Sequence, residues 1–147
     1  MKLKKILIPG FAAWITYLIL GTLMDILTKS LFISYKGDMA IIFKSVALNP
    51  NLKFMAIIFL VYLIFSLILV SLYSILRKSV PGKNSIQKGI SFGLMIWLLF
   101  ILMPNILNYV NYKILNGLFL LIPVIDIITI IPGAIIAAIV YERVAEE

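Results

Sequence analysis

Apolar residues run along this chain in four long blocks separated by shorter polar stretches, a pattern that predicts four helices long enough to cross a lipid bilayer. The first block, residues 6–27, follows Met1-Lys2-Leu3-Lys4-Lys5. At about 1.5 Å per residue it reaches roughly 33 Å, too long for the apolar middle of a signal peptide, and no small-x-small cleavage pattern follows it. It therefore reads as an uncleaved helix with Pro9 and Gly10 in its first turns, where a missing amide donor does little harm. The second block, residues 54–76, is bracketed by Lys53 and by Arg77-Lys78, which suit a full crossing with basic anchors. After the turn Val80-Pro81-Gly82-Lys83-Asn84-Ser85, the third block predicts a helix over residues 89–107. The fourth predicts a helix over about 117–141, kinked or locally unwound where Pro123 and Pro132-Gly133 interrupt it.

These blocks make a single all-α transmembrane domain over residues 1–147, a four-helix bundle of two helical hairpins. In the longest connection, 28–53, residues 39–48 suit a short helix lying in the interface or a loop dipping against the bundle. Lys5, Gly10 and Trp14 have the same mutual spacing as Lys88, Gly93 and Trp97, and both sets open an odd-numbered helix. That echo suggests a parallel internal repeat about an axis along the membrane normal. Gly10, Gly89, Gly93, Gly133 and Ala137 are the small residues expected where neighbouring helices approach closely.

Composition sharpens the membrane reading: 63% of residues are hydrophobic, and the mean hydropathy is +1.15, more apolar surface than water can cover. The net charge of +7 would suggest nucleic acid in a soluble domain, but the lysines and arginines lie between the apolar blocks, where they meet lipid headgroups. Lipid is therefore the expected partner, and nucleic acid is not. Eight of the basic residues fall on the side of the chain termini and five on the other, which favours both termini in the cytoplasm. The chain has no Cys and no His, so thiol catalysis, imidazole acid–base chemistry, thiolate or imidazole metal sites and histidine-ligated haem are excluded, and no cofactor is expected.

Candidate chemistry centres on Asp126, the one charged residue between Lys113 and Glu142. A carboxylate in the middle of a spanning run costs about 2.5–3.5 kcal/mol on insertion scales. With odd helices running outward and even ones inward, Tyr17 and Ser66 come to its depth and are its expected hydrogen-bond partners. The set Asp126, Tyr17 and Ser66 is then either a proton or cation site or a structural hydrogen bond across the bundle. Asp25, four residues before Lys29, suits a pair at the membrane surface. Asn105, Asn108 and Asn111 recur every three residues, lining a polar vestibule or forming an interfacial belt beside Tyr109 and Tyr112.

The stretch Lys88-Gly89-Ile90-Ser91-Phe92-Gly93-Leu94-Met95-Ile96-Trp97, with the hairpin layout, resembles uncharacterised small four-helix integral membrane proteins of prokaryotes. The resemblance implies a four-helix bundle in a prokaryotic cytoplasmic membrane and supplies no activity. From the residues alone, the expected function is non-enzymatic binding and packing, as a homo-oligomer or with another membrane protein. The alternative is a small proton- or cation-coupled transporter or channel using Asp126. An enzyme is the weakest reading, because one carboxyl group without His, Cys or a glycine-rich phosphate loop makes no catalytic constellation.

Overall fold

The computed structural model describes residues 3–34, 52–112 and 118–146, and among them there is no strand. Helix α1 covers Lys4–Ser34, α2 Leu52–Leu76, α3 Ser85–Trp97, α4 Met103–Tyr112 and α5 Leu118–Glu146. A π-helical turn over Leu98–Leu102 joins α3 to α4, so the three pieces form one span. Four helices are thus long and apolar enough to cross a membrane, and they form an all-α bundle. The stretch 39–48 lies outside the described residues.

Local chemistry explains where the helices depart from the apolar blocks. The third span starts four residues earlier than hydropathy predicts because Asn84 caps it: its side chain accepts from the Gln87 amide, and Gln87 Oε1 accepts from the Lys83 amide. This reciprocal pairing satisfies donors that a helix start otherwise leaves open. The turn before it needs Gly82, whose φ of 146° is closed to side chains and whose missing Cβ leaves room for the Lys88 amide. The predicted unwinding of the fourth helix does not occur; α5 stays helical through Pro123 and Pro132. The irregular turn falls in the third span instead, just before Pro104. In α geometry that proline's ring would meet the carbonyl of Phe100, and the widened π turn relieves the clash.

Helix α5 lies between α1 and α3, while α2 packs on α1 and touches α5 more lightly. Small residues set each seam. A Cβ on Gly89 or Gly93 would press on the α5 backbone at Ile135 and Ile131. On Gly133 it would overlap the Tyr17 ring, and on Gly10 it would meet Leu67. Ala137 is buried in the same core. Each tryptophan then ties its helix to a carbonyl of the next within its own hairpin: Trp14 Nε1 donates to Phe59 at 3.0 Å and Trp97 Nε1 to Pro123 at 2.7 Å.

The packing is uneven along the bundle. The Lys5 ammonium donates to the Ala145 carbonyl at 2.9 Å, so both ends of the described chain lie at one end of the bundle, the terminal end. Most buried side chains fill that half: Ile6, Ala13 and Tyr17 of α1, Ser66, Leu69, Val70 and Tyr73 of α2, Phe92 and Ile96 of α3, and Ile130 to Val144 of α5. Toward the distal end, Thr28 and Pro123 are buried, but no residue from Leu98 to Leu107 is.

Candidate functional site

Asp126 extends a stripe of α5 on which Ile130, Gly133, Ala137, Tyr141 and Val144 recur at helical spacing and are all buried. It stands one turn beyond Ile130, where the core stops, and is only half-buried. Its depth follows from register. Lys5 meets Ala145 and Tyr17 meets Gly133, so each step forward along α1 is matched by a step back along α5, and Asp126 comes level with Met24 and Asp25. Asp25 itself lies next to the end of the apolar run that closes at Leu27. Asp126 therefore sits toward the distal surface, not at mid-membrane as the length of its apolar run suggested. A charge there costs less than one at the bilayer centre.

The expected hydrogen-bond partners are not joined to it. Tyr17 rests on Gly133, two turns and about 10 Å along α5 from Asp126. The Tyr17 hydroxyl is buried without any hydrogen-bond partner, and its ring leans on Phe65 at 5.8 Å between centroids. Ser66 is fully buried and donates back to the Leu63 carbonyl of its own helix at 2.8 Å. Thr129 donates to the backbone carbonyl of Asp126, leaving its carboxyl group with no hydrogen bond to a described residue.

The neighbour that the sequence did not single out is Tyr62. It is close enough to interact electrostatically with both Asp25 and Asp126, and its hydroxyl lies 3.8 Å from the place where a Gly21 Cβ would stand. A phenol of α2 thus lies within electrostatic reach of one carboxyl group on α1 and of one on α5, at the end of the bundle where core packing thins. Tyr62 stands one turn from Ser66 on α2, and its reach to Gly21 is hard to find from sequence, because long side chains cross levels that residue counting treats as separate. Of the three asparagines, Asn105 donates to the Ile101 carbonyl inside the π turn at 2.8 Å. The side chains of Asn108 and Asn111 lie outside the described residues.

A second polar cluster closes the terminal end. Glu142 pairs with Arg77 at 3.2 Å and with Lys88 at 3.8 Å, and it accepts from the Tyr73 hydroxyl at 3.2 Å. The Arg77 guanidinium also lies over the Tyr141 ring, 5.5 Å from its centroid, and Tyr73 packs edge-on against Phe92 and Tyr141. This knot holds α2, α3 and α5 together. Its signal in the sequence was Glu142 alone, an acid at the end of the chain where the bases gather.

Among the described residues no group of His, Cys, Asp or Glu is arranged to hold a metal ion. No family model matches this chain, and no curated protein or solved structure does so.

Proposed function

We propose that this chain is a non-enzymatic binding and packing protein, completed in the membrane by a second copy of itself or by another membrane protein. One observation carries the reading: core packing stops partway along the bundle, and the half-buried Asp126 stands where it stops. Its carboxyl group, with no hydrogen bond to a described residue, is open to a donor from a neighbouring helix, which would be stabilised there. The compact terminal half, locked by Glu142, is the scaffold that presents this face. We place the protein in a prokaryotic cytoplasmic membrane with both termini cytoplasmic, on the excess of basic residues at the terminal end. The matched roles of Gly10 with Trp14 and of Gly93 with Trp97 support reading the two hairpins as a parallel repeat.

The test is the mass of the protein extracted in its native lipid, wild type against Asp126→Leu. The wild type is expected as one discrete assembly, a homo-oligomer or a fixed-ratio complex, and Asp126→Leu should shift it toward the single chain. A wild type that remains a lone chain at every lipid dilution sinks the proposal.

The alternative reading, a proton- or cation-coupled transporter, draws on the half-buried Asp126 with Tyr62 in electrostatic reach of it. It requires that Asp126→Asn abolish flux into vesicles while leaving assembly unchanged.

A further inference from the structure

The second hairpin carries a π turn on one helix and a proline on the other at one height. In the third span the π turn Leu98–Leu102 is followed at once by Pro104. In the facing helix Pro123 removes the amide that would bond one turn back. The π turn and the proline are held level by the bond from Trp97 Nε1 to the Pro123 carbonyl, 2.7 Å long.

Packing changes at the same height. Below it, Gly89 and Gly93 lie against the α5 backbone, and Phe92 and Ile96 are buried. Above it, Leu98, Leu99, Phe100, Met103, Ile106 and Leu107 are exposed, and Ile101 touches only the edge of the core. Within the arm, the Asn105 amide bonds to the Ile101 carbonyl, so the irregular turn satisfies part of its own backbone without help from another helix. The first hairpin has no proline at the corresponding level, since its single helix-internal proline, Pro9, lies at the terminal end.

We propose that the distal arm of the third span, with the first turn of α5 before Pro123, is a flap hinged at the level of Trp97 and Pro123. Asp126 stands one turn from Pro123 at the root of this flap, so its movement changes access to the thinly packed distal mouth of the bundle beside Asp126. Helix breaks of this kind absorb a change of direction at small cost, whereas an unbroken packed helix does not. The inference rests on helix geometry and packing, and it stands whether the mouth receives a protein partner or an ion.

The chain has no cysteine, so spin labels go only where cysteines are introduced. One pair, Ile26→Cys with Leu107→Cys, spans the mouth from α1 to the flap; a control pair, Ile26→Cys with Ile57→Cys, joins α1 to α2 at the distal end. All three positions are exposed. In lipid bilayers the mouth pair should give a distance distribution about twofold or more broader than the control, or one with two maxima. In a background carrying Pro104→Ala and Pro123→Ala, it should narrow toward the control. A mouth pair as narrow as the control overturns the proposal, as does breadth that survives removal of both prolines.

Discussion

Tyr17 and Gly133 form the tightest seam between α1 and α5, and the pair sets up a quantitative test. A methyl group placed on Gly133 would overlap Cε1 of Tyr17 and stand 2.5 Å from Cζ and 2.8 Å from the hydroxyl. Ordinary contact requires about 3.4 Å or more, so the ring must retreat by about 1 Å. Phe65 blocks the retreat on one side, and Tyr17 is only 3% exposed. Overpacking of this kind costs about 1–3 kcal/mol. Replacing a helical glycine by alanine returns up to ~1 kcal/mol. The net effect of Gly133→Ala is therefore a loss of about 0–3 kcal/mol, too wide a range to decide anything alone.

The coupling is sharper. In Tyr17→Leu the ring is gone, so Gly133→Ala should become neutral or stabilising, and the double-mutant cycle should show a coupling of at least ~1 kcal/mol. Tyr17→Phe serves as the control. It keeps the ring carbons that clash, so it should not rescue Gly133→Ala, yet it removes a buried hydroxyl without a partner and should by itself stabilise by about 1 kcal/mol. The assay is reversible unfolding in mixed micelles, read by tryptophan fluorescence. Additivity of Tyr17→Leu and Gly133→Ala within ~0.5 kcal/mol would refute the contact and, with it, the register that brings Asp126 level with Asp25.

Two further outcomes follow from the polar contacts. Glu142→Gln leaves Arg77 and Lys88 without their carboxylate; because the ion pairs are about a third exposed or less, the loss should be about 1–2 kcal/mol in the same assay and should shrink in high salt. A loss that does not respond to salt would point to packing instead. Trp97→Phe should cost about 0.5–1.5 kcal/mol and more than Trp14→Phe, because the bond to Pro123 is partly buried and the bond to Phe59 is exposed. The opposite order would place the stronger tie in the first hairpin.

The four spans were legible because hydropathy is a property of each run by itself. The relative depth of residues on different helices was not, because it is fixed by contacts between residues far apart in sequence, such as Tyr17 on Gly133. Counting from the ends of each apolar run brought Tyr17 level with Asp126, and the two-turn error removed both expected hydrogen bonds. The early start of the third span was written in Asn84-Ser85-Ile86-Gln87, a capping pattern outweighed by the search for apolar residues. Pro104 was visible as well, but a proline near the end of an apolar block looks like a stop. That the helix continues through a wider turn depends on Asn105 bonding back to Ile101.

The position of α5 bears on how such a chain is made. Helix α5 follows the other described helices in chain order and lies between α1 and α3, which have little contact with each other. As the spans leave the ribosome in order, α1 and α2 have each other from the start, but the third waits in the bilayer without its main neighbour, with Gly89 and Gly93 facing lipid. Release of α5 supplies the keystone for both sides at once, and the clasp between Lys5 and Ala145 closes only then. A chain that stops before α5 leaves an orphan helix, the kind of substrate that membrane quality control removes. A defect in α5 is thus exposed by the whole second hairpin, not by that helix alone.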